Sequence, residues 1–85
     1  MGPERKVWKV LFVDDEVGIR KVMEITLADA GYQVLTAPDG ETALSLCAKE
    51  SPQIAITDIR MPGMDGIEVL RRIKEQDLNK EVIVV

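Results

Sequence analysis

Short apolar runs alternate with segments of helical periodicity along the whole chain. Residues 7–13, 33–37, 53–57 and 81–85 have the length and composition of strands. Between them lie three segments whose apolar residues recur at helical spacing. Strands that alternate with helices of this length predict a parallel sheet joined by right-handed crossovers. The sequence therefore predicts an α/β domain with the order β-α-β-α-β-α-β.

The first two helical segments have predicted ends and buried faces. The first carries apolar residues at positions 19, 22, 23, 27 and 30, and Gly31 is well placed to cap its carboxyl end. The second is predicted over residues 42–49, with a buried face made of Ala43, Leu44 and Cys47.

The third helical segment has a recognisable start. Asp65 and Glu68 lie three residues apart, as in an N-cap pair that opens a helix. The buried face predicted for this helix consists of Ile67, Leu70 and Ile73.

Composition limits the possible classes of protein. The 85 residues are 46% hydrophobic, which is enough for one small core, and residues 1–6 are predicted to be a flexible leader before a domain at 7–85. The net charge is −4 without a basic stripe, so we expect no direct nucleic-acid binding. No apolar run is long enough to span a membrane. The single cysteine, Cys47, fits a reducing cytoplasm, and the absence of histidine excludes histidine-based catalysis.

Acidic residues follow two of the predicted strands. Asp14 and Asp15 come directly after the first strand, and Asp58 comes directly after the third. In an open parallel sheet of the flavodoxin-like type these two strands are neighbours, and ligands bind outside their carboxyl ends. Three crowded carboxylates repel one another unless a divalent cation joins them. The pattern predicts a pocket for Mg²⁺-dependent phosphate chemistry.

Two stretches resemble the receiver domain of bacterial two-component response regulators. They are residues 10–16 (VLFVDDE) and residues 56–66 (ITDIRMPGMDG), and the likeness covers nearly the whole chain after the leader. The resemblance implies a flavodoxin-like (CheY-like) fold with strand order 2-1-3-4. It also implies a phosphoryl-accepting module of a phosphorelay, located in the cytoplasm and often linked to transcription regulation.

The resemblance assigns roles to individual residues. Asp58 would be the phospho-acceptor and would take a phosphoryl group from a histidine kinase or a phosphotransfer protein. Asp15 would bind Mg²⁺ directly, Asp14 would bind it mainly through water, and the backbone carbonyl of Arg60 would supply another oxygen. Together with Asp58 these residues form the expected metal site. The module would assist its own phosphorylation and dephosphorylation and would not be a turnover enzyme.

Receivers also carry a Ser or Thr just after the fourth strand and a Lys at the end of the fifth. The printed sequence ends at Val85, before either position. We therefore expect a C-terminally truncated receiver that lacks the fifth strand and the last two helices. The apolar fourth strand should then lie at an exposed edge, which predicts self-association through it.

Two other functions compete with the signalling module. A receiver fragment that no longer switches could serve only for interaction or dimerisation. An aspartyl-phosphate phosphatase of the haloacid-dehalogenase type would use similar chemistry, but that class has Asp-x-Asp after its first strand with the nucleophile first. Here Asp14 and Asp15 are adjacent, and the candidate acceptor follows the third strand.

Overall fold

Four strands and three helices alternate along the protein. The computed structural model describes residues 7–58, 66–77 and 81–84. The elements are β1 (Lys9–Val13), α1 (Val17–Asp29), β2 (Gln33–Ala37), α2 (Gly40–Glu50), β3 (Ile54–Thr57), α3 (Gly66–Gln76) and β4 (Glu81–Val84). The predicted order of strands and helices is confirmed. The proposed leader, Asp65 and Arg60 lie outside the described residues.

All four strands form one parallel sheet with the order β2-β1-β3-β4. In the centre, Val13 lies opposite Ala37 on one side and Thr57 on the other. This register aligns the carboxyl ends of β2, β1 and β3 at one edge of the sheet. The predicted flavodoxin-like strand order is confirmed.

The two faces of the sheet are covered unequally. Helices α2 and α3 pack on one face, whereas α1 packs on the other. The main hydrophobic core lies on the α2 and α3 side, and its buried members are Leu11, Val13, Ala37, Ala43, Cys47, Ala55, Val69 and Ile73. Helix α1 contributes no fully buried residue. None of the helices in the described ranges is long and apolar enough to cross a bilayer.

Strand β1 begins two residues later than predicted. Val7 and Trp8 are exposed and precede it. The backbone N–H of Lys9 donates to the side-chain oxygen of Gln53 at 2.7 Å, and Lys9 Nζ donates to the carbonyl oxygen of Glu50 at 3.0 Å. The ladder thus starts at a lysine whose side chain is tied to the end of α2.

Local backbone conformation and capping contacts set the end of α1 and the start of α2. Gly31 follows the end of α1 with φ of +100°, a conformation that glycine adopts without steric cost. Helix α2 begins at Gly40, before the predicted residue 42, because Asp39 is its N-cap. The carboxylate of Asp39 accepts a hydrogen bond from the Thr42 N–H at 2.8 Å, which lowers the pKa of Asp39.

The predicted buried face of α3 was partly wrong. Ile73 is fully buried as expected, and Leu70 is half-buried, but Ile67 is 55% exposed. Val69 is buried in its place, four residues before Ile73. The helix is therefore rotated relative to the predicted stripe, so that the row Val69–Ile73 faces the core.

The solvent-exposed side of α3 carries a small ion-pair network, which gives a pH-dependent prediction. Glu68 accepts hydrogen bonds from Arg72 Nε at 2.8 Å and from Arg71, and these hold the pKa of Glu68 below its ordinary value. A carboxyl group whose pKa is lower in the folded state adds stability above its unfolded pKa, and that stability is lost as the pH falls through the folded pKa. We expect Glu68→Gln to be slightly less stable than wild type to urea at neutral pH.

This stability difference should disappear below the folded pKa of Glu68, where both proteins carry a neutral side chain at position 68. Urea unfolding of both proteins between neutral and strongly acidic pH measures it. Glu24→Gln, which changes an exposed carboxylate on α1, is the matched control. A Glu68→Gln difference that does not change with pH would contradict the assigned ion pairs.

Candidate metal centre

The backbone places acidic residues directly beyond the ends of two neighbouring strands. The N–H of Asp14 donates to the carbonyl oxygen of Ala37 at 3.1 Å, and the N–H of Asp58 donates to the carbonyl oxygen of Val13 at 3.2 Å. Each acid therefore continues the sheet's hydrogen-bonding ladder by one residue. Their separation is fixed by the parallel pairing of β1 with β3.

The carboxylates of Asp14, Asp15 and Asp58 converge at this edge. One oxygen from each residue lies within 4.8 Å of the other two. Asp14 is buried, Asp58 is half-buried and Asp15 is exposed, so the cluster opens towards solvent on one side. The structure thus brings together the three acids that the strand pattern places at one edge.

Asp14 is held in place at two of its atoms. Its Oδ1 accepts a hydrogen bond from the N–H of Glu16 at 2.9 Å, and its carbonyl oxygen accepts one from Arg20 Nη1 at 2.7 Å. The position of Arg20 near the cluster was not predicted from the sequence. One feature of the sequence could have indicated it. Arg20 is a positively charged residue on the side of α1 that packs on the sheet, where the helical pattern favours an apolar residue.

The donor set suits a hard divalent cation. All three side chains supply carboxylate oxygens, which Mg²⁺ prefers, and one face of the cluster is open for water. In an octahedral site with bonds of about 2.1 Å, ligand oxygens lie up to about 4.2 Å apart. The observed spacing, within 4.8 Å, needs only small side-chain rotations to match this. The residues present therefore fit the ion.

The family model for the response regulator receiver domain matches residues 10–85. The chain belongs to this family. Members of the family are signalling modules that take phosphate from histidine kinases or phosphotransfer proteins.

Two of the curated proteins that the chain resembles come from Bacillus subtilis (strain 168). It is 43% identical over 77 residues to sporulation initiation phosphotransferase F of Bacillus subtilis (strain 168), an alignment that covers 91% of this chain and 62% of that protein. It is 38% identical to the alkaline phosphatase synthesis transcriptional regulatory protein PhoP of the same organism, covering 91% of this chain and 32% of that protein. The chain therefore spans less than two thirds of either relative.

Solved structures share the fold closely. The chemotaxis protein CheY4 of Vibrio cholerae superposes with a TM-score of 0.89 at 37% identity, covering 93% of this chain and 68% of that one. The response regulator TrrA of Thermotoga maritima, solved in complex with Mg(2+)-BeF, gives a TM-score of 0.88 at 35% identity. The match covers 92% of this chain and 68% of that one.

Proposed function

We propose that this chain accepts a phosphoryl group on Asp58 in a Mg²⁺-dependent reaction, as the receiver module of a two-component phosphorelay. One observation carries the proposal: three carboxylates converge beyond β1 and β3 in a chain of the receiver family. The haloacid-dehalogenase alternative is not favoured, because that reaction needs its nucleophile first in an Asp-x-Asp motif after the first strand.

Asp58 would be the nucleophile. A carboxylate oxygen attacks the phosphorus, a new O–P bond forms, and the bond from phosphorus to the leaving group breaks with its electron pair going to that group. With a phosphohistidine donor the leaving group is the imidazole nitrogen. The partly open position of Asp58 lets a donor approach in line, while the ladder hydrogen bond at its N–H holds the backbone still.

Asp14 and Asp15 would hold the metal ion. Asp15 is exposed and offers a carboxylate oxygen directly, whereas Asp14 is fixed by the N–H of Glu16 and would contact the ion mainly through water. The carbonyl oxygen of Arg60 is proposed as a further ligand. When bound, Mg²⁺ neutralises charge on the transferred phosphoryl oxygens and on the three carboxylates.

The remaining parts of the proposal concern partners and setting. The phosphodonor would be a histidine kinase or a phosphotransfer protein, and the module would act in the cytoplasm without turning over as an enzyme. Similarity to a transcriptional regulatory protein supports a place in transcription regulation. We also propose self-association with a contribution from β4, which lies at an edge of the described sheet and has a half-exposed Ile83.

Phosphorylation by a small donor tests the proposed function. The chain is incubated with Mg²⁺ and acetyl phosphate and analysed by intact-protein mass spectrometry. We expect the mass of one phosphoryl group, which is absent when EDTA replaces Mg²⁺ and is lost on treatment with hydroxylamine, because acyl phosphates are cleaved by it. No mass gain under any condition would reject the proposal, and continuous release of phosphate would favour the phosphatase.

Removal of a metal ligand gives a separate prediction. Asp15→Asn should weaken Mg²⁺ binding about 10- to 100-fold, because the variant loses a charged oxygen ligand while keeping its shape. Isothermal titration calorimetry measures the affinity. Glu16→Gln is the control, since it removes a neighbouring negative charge from a side chain outside the cluster and keeps the N–H that binds Asp14. Equal losses in both variants would show that only net charge matters.

A further inference from the structure

Arg20 joins the first turn of α1 to the end of β1. Its backbone N–H donates to the carbonyl oxygen of Glu16 at 3.1 Å, and its Nη1 donates to the carbonyl oxygen of Asp14 at 2.7 Å. The side chain therefore reaches back over six residues to the strand end that carries two of the three acids. A distance of 2.7 Å is at the short end of the range for hydrogen bonds from a charged donor, so the contact is a strong one.

The guanidinium contacts the backbone of the metal centre and not its carboxylates. Arg20 donates to the carbonyl oxygen of Asp14, whereas the Oδ1 atom of Asp14 accepts from the N–H of Glu16. Arg20 therefore holds the chain at Asp14 without using a carboxylate oxygen that a cation could bind. Its side chain is half-buried, which lowers the competition of water for the same carbonyl oxygen.

Three hydrogen bonds around Asp14 fix the peptide group that leads to Asp15. The N–H of Asp14 donates to the carbonyl oxygen of Ala37 at 3.1 Å, and its Oδ1 accepts from Glu16 at 2.9 Å. Its carbonyl oxygen accepts from Arg20. This carbonyl and the N–H of Asp15 belong to one planar peptide group, so holding the oxygen sets the direction in which Asp15 leaves the strand. Asp15 itself is exposed, so burial contributes little to its orientation.

We propose that Arg20 is a positioning residue for the cation site: its bond to the carbonyl oxygen of Asp14 keeps the exposed carboxylate of Asp15 within the cluster. The inference rests on the Mg²⁺ site of the proposed function and gives α1 a part in building it. Strand pairing separates Asp14 from Asp58, because both continue the ladder of the sheet. Asp15 lies one residue further along, where the contact from α1 takes over.

The charge of Arg20 and its hydrogen bond have opposite effects on cation binding. A guanidinium close to the cluster repels an arriving Mg²⁺, so its charge alone weakens binding. The hydrogen bond strengthens binding, because a carboxylate already in place needs no ordering when the cation arrives. Salt screens the repulsion over about 8 Å at about 0.15 M but leaves a short hydrogen bond intact. Removing Arg20 therefore distinguishes the two roles by the sign of the change in affinity.

The test compares Mg²⁺ affinity in two variants that each remove one positive charge from α1. Arg20→Met loses the hydrogen bond and the charge but keeps a long helix-forming side chain, and its Kd for Mg²⁺ should rise about 10-fold. Lys21→Met loses an exposed charge at the next residue and leaves the contact with Asp14 intact, so its Kd should stay within about twofold of wild type. Isothermal titration calorimetry at about 0.15 M salt measures both.

Hydrogen exchange shows whether the change is local. The N–H of Glu16 is bonded to Oδ1 of Asp14, inside the segment that Arg20 holds, and in Arg20→Met it should exchange at least about 10-fold faster. The N–H of Asp58 is bonded to the carbonyl oxygen of Val13 within the sheet, so its rate should change much less. This pair of rates separates a loss of positioning from a general loss of stability.

Three results would overturn the role of Arg20 alone. They are an unchanged or lower Kd in Arg20→Met, equal rises in Kd in Arg20→Met and Lys21→Met, and equal acceleration of exchange at Glu16 and Asp58. In each case a wild-type chain that binds Mg²⁺ and gains phosphoryl mass leaves the proposed function standing. A wild-type chain that binds no Mg²⁺ overturns both proposals.

Discussion

The Asp58→Asn variant is expected to gain no phosphoryl mass from acetyl phosphate and Mg²⁺, whereas the wild-type chain gains one group. The amide replaces a carboxylate of nearly the same shape but has no anionic oxygen to attack phosphorus. Because the N–H of residue 58 still donates to the carbonyl oxygen of Val13, the backbone geometry should remain intact. The loss should therefore be complete within the detection limit of the mass measurement.

The control for this variant must remove an aspartate charge elsewhere. Asp29→Asn serves, because Asp29 is an exposed residue at the end of α1, away from the metal centre, and this variant should be phosphorylated as wild type is. Circular dichroism of both variants checks folding. If Asp58→Asn still gained the full phosphoryl mass, the acceptor would be another carboxylate, and the assignment of Asp58 would be wrong.

The Leu11→Ala variant is expected to be the most destabilised of the simple core truncations. Leu11 is fully buried in β1, at the centre of the sheet and in contact with the core under α2 and α3. Replacing a buried leucine with alanine costs about 2–5 kcal/mol, and small domains have a total stability of about 5–15 kcal/mol. Urea unfolding should therefore show a large fall in the midpoint. A cost at the upper end of this range would leave part of the Leu11→Ala protein unfolded even without denaturant.

Ile67→Ala is the control for this truncation. Ile67 is 55% exposed, so losing the same kind of aliphatic surface there should change the free energy of unfolding by less than about 0.5 kcal/mol. The difference between the two variants measures the contribution of burial. Equal destabilisation by Leu11→Ala and Ile67→Ala would contradict the assignment of Leu11 to the centre of the core.

The order and pairing of the strands could be predicted from the sequence because each strand is a short apolar run and a segment of helical periodicity separates it from the next. Parallel strands that are covered on both faces read as near-continuous apolar runs, such as residues 10–13. The exact ends could not be predicted in the same way. The start of β1 at Lys9 depends on hydrogen bonds to Gln53 and Glu50, which are more than forty residues away in sequence.

Helix orientation was harder to predict because it depends on the surface against which a helix packs. In α3, Ile67 and Val69 are both apolar, and the sequence alone does not decide which of them faces the sheet. In the structure Val69 is buried. It lies four residues before Ile73, on the same side of α3, and both residues belong to the core. In α1 the apolar stripe was visible in the sequence, but no fully buried residue results, since its neighbours cover only part of that stripe.

The candidate site was the most predictable part of the molecule. Asp14, Asp15 and Asp58 could be placed together because parallel pairing alone determines which strand ends are neighbours. The contact between Arg20 and the carbonyl oxygen of Asp14 could not be predicted, since it depends on the angle at which α1 leaves the sheet. Strand pairing therefore determines the positions of the acids, and helix packing determines their surroundings.

The ladder hydrogen bonds at Asp14 and Asp58 have a consequence for the timescale on which the site moves. Both N–H groups are bonded to carbonyl oxygens of neighbouring strands, at 3.1 and 3.2 Å. Their hydrogens should exchange with solvent only when the central strands separate, at rates close to those of global unfolding. The acids would then keep their spacing for as long as the domain stays folded, and an arriving cation would meet a site whose backbone is already ordered.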